Sequence, residues 1–301
     1  KPGAAEAVAR GRMPARSEGF FMFDRQRTLR NVVQCTGRGR AHAAVVRVTF
    51  KPAPANHGVV FVRVDLHPTA RVPASLAAVA GGSFSTSLSH AGVTVAGVSP
   101  VLAACAGLGL DNLLIELDGP ELPMMDGSAA PFVFLLEAAG VVRQAVPRCY
   151  LRVAKPVRLQ EGEAWAELRP HPGLHLDYAL EFDSPCGERK RRAAAVELSA
   201  TSFVRDLARA RSPLLAPEST DAEGREWLRH KLMSAVGDLS LLGQGLIGAF
   251  SGFASGHALH RALLERFLSD PEAWEQVMLA ASDEGDSNTD LVNGAEVPEL
   301  A

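Results

Sequence analysis

The residues best placed to do chemistry are His230, Ser234 and Asp238, which recur at every fourth position in EWLRHKLMSAVGDLSLLG, Glu226 to Gly243. Side chains four apart lie above one another on a helix. Leu228, Leu232, Ala235, Val236, Leu239 and Leu242 recur at the spacing of one buried helix face, so the run is predicted to be amphipathic with a polar stripe. A helix presenting imidazole and carboxylate at i and i+4 offers two ligands to a zinc ion. Serine holds the middle position, and a neutral hydroxyl is a poor zinc ligand. The stripe therefore reads as a metal site with a ligand missing. The plainer reading is a polar helix stripe with one interfacial histidine. A second segment, Gly252–His260 (GFASGHALH), follows closely.

The chain that must position these residues has 301 residues, 47% hydrophobic and 22% charged, with a net charge of −3. This is the composition of a soluble globular protein with one large domain or two ordinary ones. No basic excess points to a nucleic-acid or anionic-membrane partner. No apolar run reaches the roughly 18 residues that a transmembrane segment needs. Cys35, Cys105, Cys149 and Cys186 are scattered without a CxxC spacing, as expected of reduced thiols in a cytoplasmic protein. Residues 1–23 are rich in Ala, Arg and Gly with no apolar signal core, and are expected to be a disordered leader. Residues 282–301 are acidic and are expected to be a disordered tail.

Between them the expected fold class is α+β. Val46, Val48 and Phe50 alternate with Arg47 and Thr49, and a turn at Asn56–Gly58 leads to VVFVRVDL, which predicts a hairpin. Ser99 and Pro100 suit the cap and first residue of a helix. Asp126-Gly127-Ser128 and Pro131 suit a turn followed by a helix over Phe132–Ala139. A domain boundary is placed near Arg143–Pro147. Ser199 or Thr201 can cap a helix carrying Phe203, Val204 and Leu207, and HALHRALLERFLSD and PEAWEQVMLA both read as helices, the second capped by Asp270 with Pro271 first.

Several segments, in one order from Arg27 to about Ala280, resemble the UDP-3-O-acyl-N-acetylglucosamine deacetylases, zinc amidohydrolases that commit bacteria to lipid A synthesis. HKLMSAVGDLSLLG and SGFASGHAL are similar to the family's HKxxDxxGDLxLLG and GxxxGHxLN. Thr36, Gly37, Gly39, Lys51–Pro54, Gly58, Phe61, Arg63, Asp65 and Leu66 fit its early strands, and Phe84–Leu88 its MxTTL strand. Ala106–Asn112 and MDGSAAPFV fit with little change. The resemblance implies two similar α+β sandwiches, each a sheet packed on two helices, facing across a cleft. They are expected at residues 24–145 and 146–281.

The resemblance also assigns roles. His230 matches a zinc ligand, Lys231 a substrate-contacting lysine, and Asp238 and His257 the pair whose histidine is the general acid. Ser212 stands where a threonine helps steady the tetrahedral intermediate, although Pro213 and Leu214 replace the Phe-Gly that follows it. Ser99, Pro100 and Ser234 occupy the positions of the general base, a second ligand and the third. The family's HSG element is replaced by Ala41, His42 and Ala43. Only PLLAPESTDAEGREWLR separates Ser212 from His230, where the family carries the insert that forms its acyl tunnel. A short polar loop is expected there. Serine and proline cannot act as a carboxylate base, and one ligand does not make a catalytic zinc site. The expectation is a degenerate homologue with no zinc and a residual sugar-nucleotide (UDP-sugar) or regulatory role. Two alternatives stand beside it. One is an active deacetylase whose zinc is held in rearranged geometry by His42, His90 or His175. The other is a protein that docks a partner in the emptied cleft.

Overall fold

The computed structural model describes residues 23–41, 44–81, 86–183, 189–211 and 224–279. The chain is mixed α+β. Its first part holds β1 (Arg25–Leu29), β2 (Val33–Arg38), β3 (Val45–Pro52), β4 (Val59–Arg63), β5 (Ala70–Pro73) and β6 (Val79–Ala80). β7 (Ser87–His90), β8 (Val93–Val95), α1 (Ser99–Gly107), β9 (Leu113–Leu117), α2 (Ala130–Ala139) and β10 (Val141–Pro147) follow. Next come β11 (Cys149–Val153), β12 (Val157–Glu161), β13 (Ala164–Arg169), β14 (Leu174–Asp183), β15 (Arg189–Glu197) and α3 (Ala200–Ser202), which runs on as a π-turn over Phe203–Leu207. α4 (Arg225–Leu239), β16 (Gly245–Phe253), α5 (His257–Ser269) and β17 (Trp274–Met278) complete the described chain.

The first part forms a sheet in the order β2-β3-β9-β4-β5, a small β6-β7-β8 sheet and a β1-β10 ribbon. The second forms a larger sheet, β12-β13-β16-β11-β17, with β14 on β16 and β15 on β14. Among the described residues no strand pair joins an element before Arg148 to one after it. The Arg143–Pro147 stretch, expected at a boundary, is itself strand, with Arg143 opposite Arg27 in β1.

Three local expectations are corrected. β3 and β4 do not pair as a hairpin, because β9 lies between them, with Ile115 opposite both Phe50 and Phe61. Leu113, Ile115 and Leu117 are fully buried, so the most apolar strand takes the centre. The PEAWEQVMLA segment is not a helix. After a turn in which Asp270 Oδ1 accepts the Glu272 N–H, β17 pairs antiparallel with β11 from Val153–Trp274 to Cys149–Met278. Asp270 therefore caps a turn rather than a helix. Ser99 is the first helical residue with Val98 before it, and its side chain does not cap α1. Ser199 does cap α3, in a reciprocal pair with Ser202.

α1 and α4 cross closely and hold the two parts together. A Cβ on Gly237 would lie 2.8 Å from the Ser99 carbonyl oxygen, so only glycine lets the backbones approach this far. Val101, Leu102, Ala103 and Cys105 of α1 and Leu232, Met233, Ala235 and Val236 of α4 are buried in one hydrophobic cluster. Burial pushes the Cys105 thiol up to about 12, which marks it as a packing residue.

Candidate functional site

α4 delivers the stripe anticipated from its sequence. Ser234 and Asp238 are buried on it, with His230 and Lys231 part-buried one and two turns earlier. Asp238 is the centre. Its Oδ2 receives His257 Nδ1 at 2.8 Å and His260 Nδ1 at 2.8 Å, and its Oδ1 receives the Thr86 hydroxyl at 2.8 Å. Burial works to raise this carboxyl, but the charge of His257 and the hydrogen bonds from His257 and His260 outweigh it and hold the group below the ordinary range. With both Nδ1 atoms donating, each ring in its neutral form leaves Nε2 as its acceptor. His260 uses that acceptor for the Ser255 hydroxyl at 2.9 Å.

Ser255, His260 and Asp238 thus line up in the order of a nucleophile, base and acid. All three are under 4% exposed (1%, 2% and 3%), so no substrate reaches the serine and the row is structural. His257 differs, because it lines a cavity of about 220 Å³. Leu76, Val79, Leu241 and Leu264 wall that cavity, and Thr86 and Arg261 add polar groups. A histidine oriented by a buried carboxylate and open at Nε2 is equipped to give or take a proton there.

The remaining site residues gather around this centre. Lys231 Nζ donates to the Ser255 carbonyl at 3.3 Å, beside the Tyr178 hydroxyl, which donates to the same oxygen at 2.5 Å. Burial lowers the lysine's affinity for its proton, with Asp238 opposing that. His230 Nδ1 lies 3.3 Å from the Ala210 carbonyl. Burial brings His230 down to about 4, so it is a neutral imidazole at pH 7. Ser99 Oγ accepts the Thr86 N–H at 3.4 Å, which ties the start of α1 to the Asp238 network. Ser212 and His42 lie outside the described residues, as do Pro213, Leu214 and most of the expected short loop.

His230 has what a zinc ligand needs, a neutral ring oriented by a carbonyl. Its surroundings do not complete a set. Among the described residues, no group of three imidazole, thiolate or carboxylate donors within 4.8 Å of one another includes it. The hydroxyls of Ser99 and Ser234 and the ring of Pro100 do not fit a catalytic zinc, which takes three such donors. His90 is exposed on β7. His175 belongs to the face of β14 opposite Leu176 and Tyr178.

Sequence reasoning missed Thr86, Ser255 and His260 as members of the network. His260 could have been found from its position one turn after His257 on the same helix. Thr86 could not, because it meets Asp238 and His257 across 152 and 171 residues of chain.

The class so defined is a mixed α+β protein with a histidine of α5 held by a buried carboxylate of α4. The model of the UDP-3-O-acyl N-acetylglycosamine deacetylase (LpxC) family matches residues 26–223 and 218–269, and the chain belongs to that family. It is 37% identical over 290 residues to the UDP-3-O-acyl-N-acetylglucosamine deacetylase of Methylococcus capsulatus, covering 87% of this chain and 95% of that one. The enzyme of the same name from Vibrio campbellii is 38% identical, with 83% and 92% covered, and that from Alcanivorax borkumensis 39%, with 84% and 93% covered. Among the described residues no helix is long and apolar enough to cross a membrane.

Proposed function

We propose that this member of the deacetylase family has lost zinc-dependent hydrolysis and retains a binding or regulatory role toward a UDP-sugar. The observation that carries the reading is the donor set at the α1–α4 crossing. One neutral imidazole, His230, is the only metal-binding side chain among the four positions that the resemblance assigns to ligands and base, since Ser99, Pro100 and Ser234 offer two hydroxyls and a proline ring. No carboxylate stands at Ser99 to take a proton from an attacking water. The retained Asp238–His257 pair, Lys231 and Ser212 are then what remains of the substrate site, with Lys231 the cation for a phosphate and Arg261 a second one in the cavity beside His257.

In this reading the chain folds as two facing sandwiches, residues 24–145 and 146–281, supported by strand pairing that stays within each part. It works in the cytoplasm, where a nucleotide sugar is available. The competing reading, an active deacetylase with a rearranged site, draws on the intact geometry of Asp238 and His257.

The deciding experiment supplies UDP-3-O-acyl-N-acetylglucosamine and excess zinc to the purified chain, and measures acetate release together with UDP binding by calorimetry. No release above background, with UDP bound and weakened by Lys231→Ala, is the expected outcome. Release that disappears in His257→Ala or His230→Ala overturns it in favour of the active enzyme. UDP failing to bind removes the nucleotide role.

A further inference from the structure

We propose that the outer face of the larger sheet carries a zinc site built from His171, His175 and Glu197, with Asp177 behind it. This site is separate from the α1–α4 crossing and beyond the role proposed above. His175 and Glu197 are direct cross-strand partners on β14 and β15, so their side chains rise together from one face of the sheet. His175 Nδ1 lies 2.5 Å from Glu197 Oε1. His171, in the turn that leads into β14, brings Nε2 to 3.7 Å from the same oxygen, and its ring centroid is 5.3 Å from that of His175. The three donor atoms all lie within 4.8 Å of one another.

Two imidazoles and a carboxylate form a three-ligand zinc set with an open fourth position. Zinc bonds of about 2.0–2.2 Å place tetrahedral ligand atoms about 3.4 Å apart. His175 and Glu197 must therefore separate by about 1 Å, which side chains on a solvent-facing sheet surface can do. The ion takes the place of the His175 Nδ1 proton, which moves to Nε2. Asp177 Oδ2 faces Nε2 at 3.8 Å to receive it, an arrangement that fixes a ligating tautomer. Asp177 is itself fixed, accepting the Ser251 hydroxyl at 2.6 Å with Arg169 at 3.6 Å. His171 gives up a long contact from the Gly173 N–H, 3.3 Å at Nδ1, so that Nδ1 can carry the proton while Nε2 binds.

The opposite face of β14 presents Leu176 and Tyr178, at 0% and 1% exposure. An ion held by His175 therefore cannot serve the hydrolase site. Stability offers no separate reason for the cluster, since exposed charge pairs contribute little.

The test is zinc binding by the full chain, measured by elemental analysis after equilibrium dialysis and by titration against a chelating dye. The expected result is one zinc per chain, weakened at least tenfold by His175→Ala, His171→Ala or Glu197→Gln and unchanged by His230→Ala. Asp177→Asn weakens it about 10–100-fold. Cobalt in place of zinc gives the visible absorption of a tetrahedral site in the parent only. Circular dichroism of each variant confirms that a lost site is not a lost fold. No zinc retained by the parent, or zinc unaffected by His175→Ala, overturns the site. Zinc lost in His230→Ala but kept in His175→Ala also overturns it and moves the ion to α4, which contradicts the hydrolysis-free reading as well. The deacetylase assay does not enter, and the pattern across the His175 and His230 variants tells failure of this site from failure of the hydrolysis-free reading.

Discussion

Asp238 is the residue on which the centre depends, because His257, His260 and Thr86 all bond one buried carboxylate. Asparagine keeps the volume but offers one acceptor oxygen and turns an amide N–H₂ toward a donor. Hydrogen bonds to a charged group are worth about 1.5–3 kcal/mol, so Asp238→Asn is expected to destabilise the chain by about 2 kcal/mol or more. The check is a lower urea midpoint at unchanged slope. The same residues set the acid response. The Asp238 carboxyl is depressed in the folded chain, so its contribution is full above the unfolded value of about 3.9 and is lost as pH falls below it. His230 behaves differently in range but alike in sign. It titrates near 4 when folded and at about 6.5 when unfolded, so the unfolded chain takes up the proton first. Stability is complete above pH ~6.5 and drains toward pH 4, by at most about 3 kcal/mol at 1.36 kcal/mol per unit. His230→Gln is therefore expected to flatten the urea midpoint between pH 4.5 and 7 while keeping the collapse below pH 4. The flattening is partial, because burial also lowers His260.

At the scale of elements the controlling contact is the α1–α4 crossing. Alanine in place of Gly237 improves helix propensity by about 1 kcal/mol, yet its Cβ meets the Ser99 carbonyl oxygen at 2.8 Å and the Ala103 nitrogen at 3.4 Å. Both neighbours are backbone and cannot swing away, so the overpacking cost of about 1–3 kcal/mol prevails. Gly237→Ala is expected to lower Tm by a few degrees in a calorimetric scan, whereas a helix exposed at that position would melt higher. The crossing also explains how much could be read in advance. α4 and α5 were legible because their apolar spacing and polar stripes are local, and α2 because proline marks its first turn. β9 between β3 and β4 was not legible, because a turn at Asn56–Gly58 says nothing of a strand that arrives 50 or more residues later. β17 was misread because WEQVM has too few residues to show a period, and its register comes from β11 more than 120 residues earlier. The stripe of His230, Ser234 and Asp238 stood in the sequence. The bonding that gives Asp238 its character comes from β7's approach and α5, and depends on tertiary structure.

For the whole molecule the question is whether the two parts still hold α1 and α4 as a zinc deacetylase does, with only side chains changed. Ser99→Glu, Pro100→His and Ser234→Asp together supply the groups that the family resemblance assigns to these positions. The helix backbone should tolerate them. Pro100 lies in the first turn of α1, where backbone N–H groups have no partner within the helix, so histidine forfeits nothing there. Ser234 is 6% exposed, and an unpaired carboxylate buried at that depth is costly. The triple variant without metal is therefore expected to melt below the parent. Zinc should reverse this, because an ion that binds only the folded chain stabilises it by about 4 kcal/mol at a thousandfold excess over Kd. His175→Ala in the same background keeps the outer-sheet cluster from contributing, and addition of His230→Ala should abolish the recovery. The acyl substrate should still not turn over. Each methylene left outside an apolar tunnel forgoes about 0.8 kcal/mol, and only 17 residues separate Ser212 from His230, where the family resemblance implies a strand-helix-strand insert. Recovery of zinc through His230 without turnover would separate the two proposed losses, ligands on one side and substrate tunnel on the other. A triple variant that gains no stability from zinc would mean that the crossing itself has shifted, and that restored side chains no longer converge.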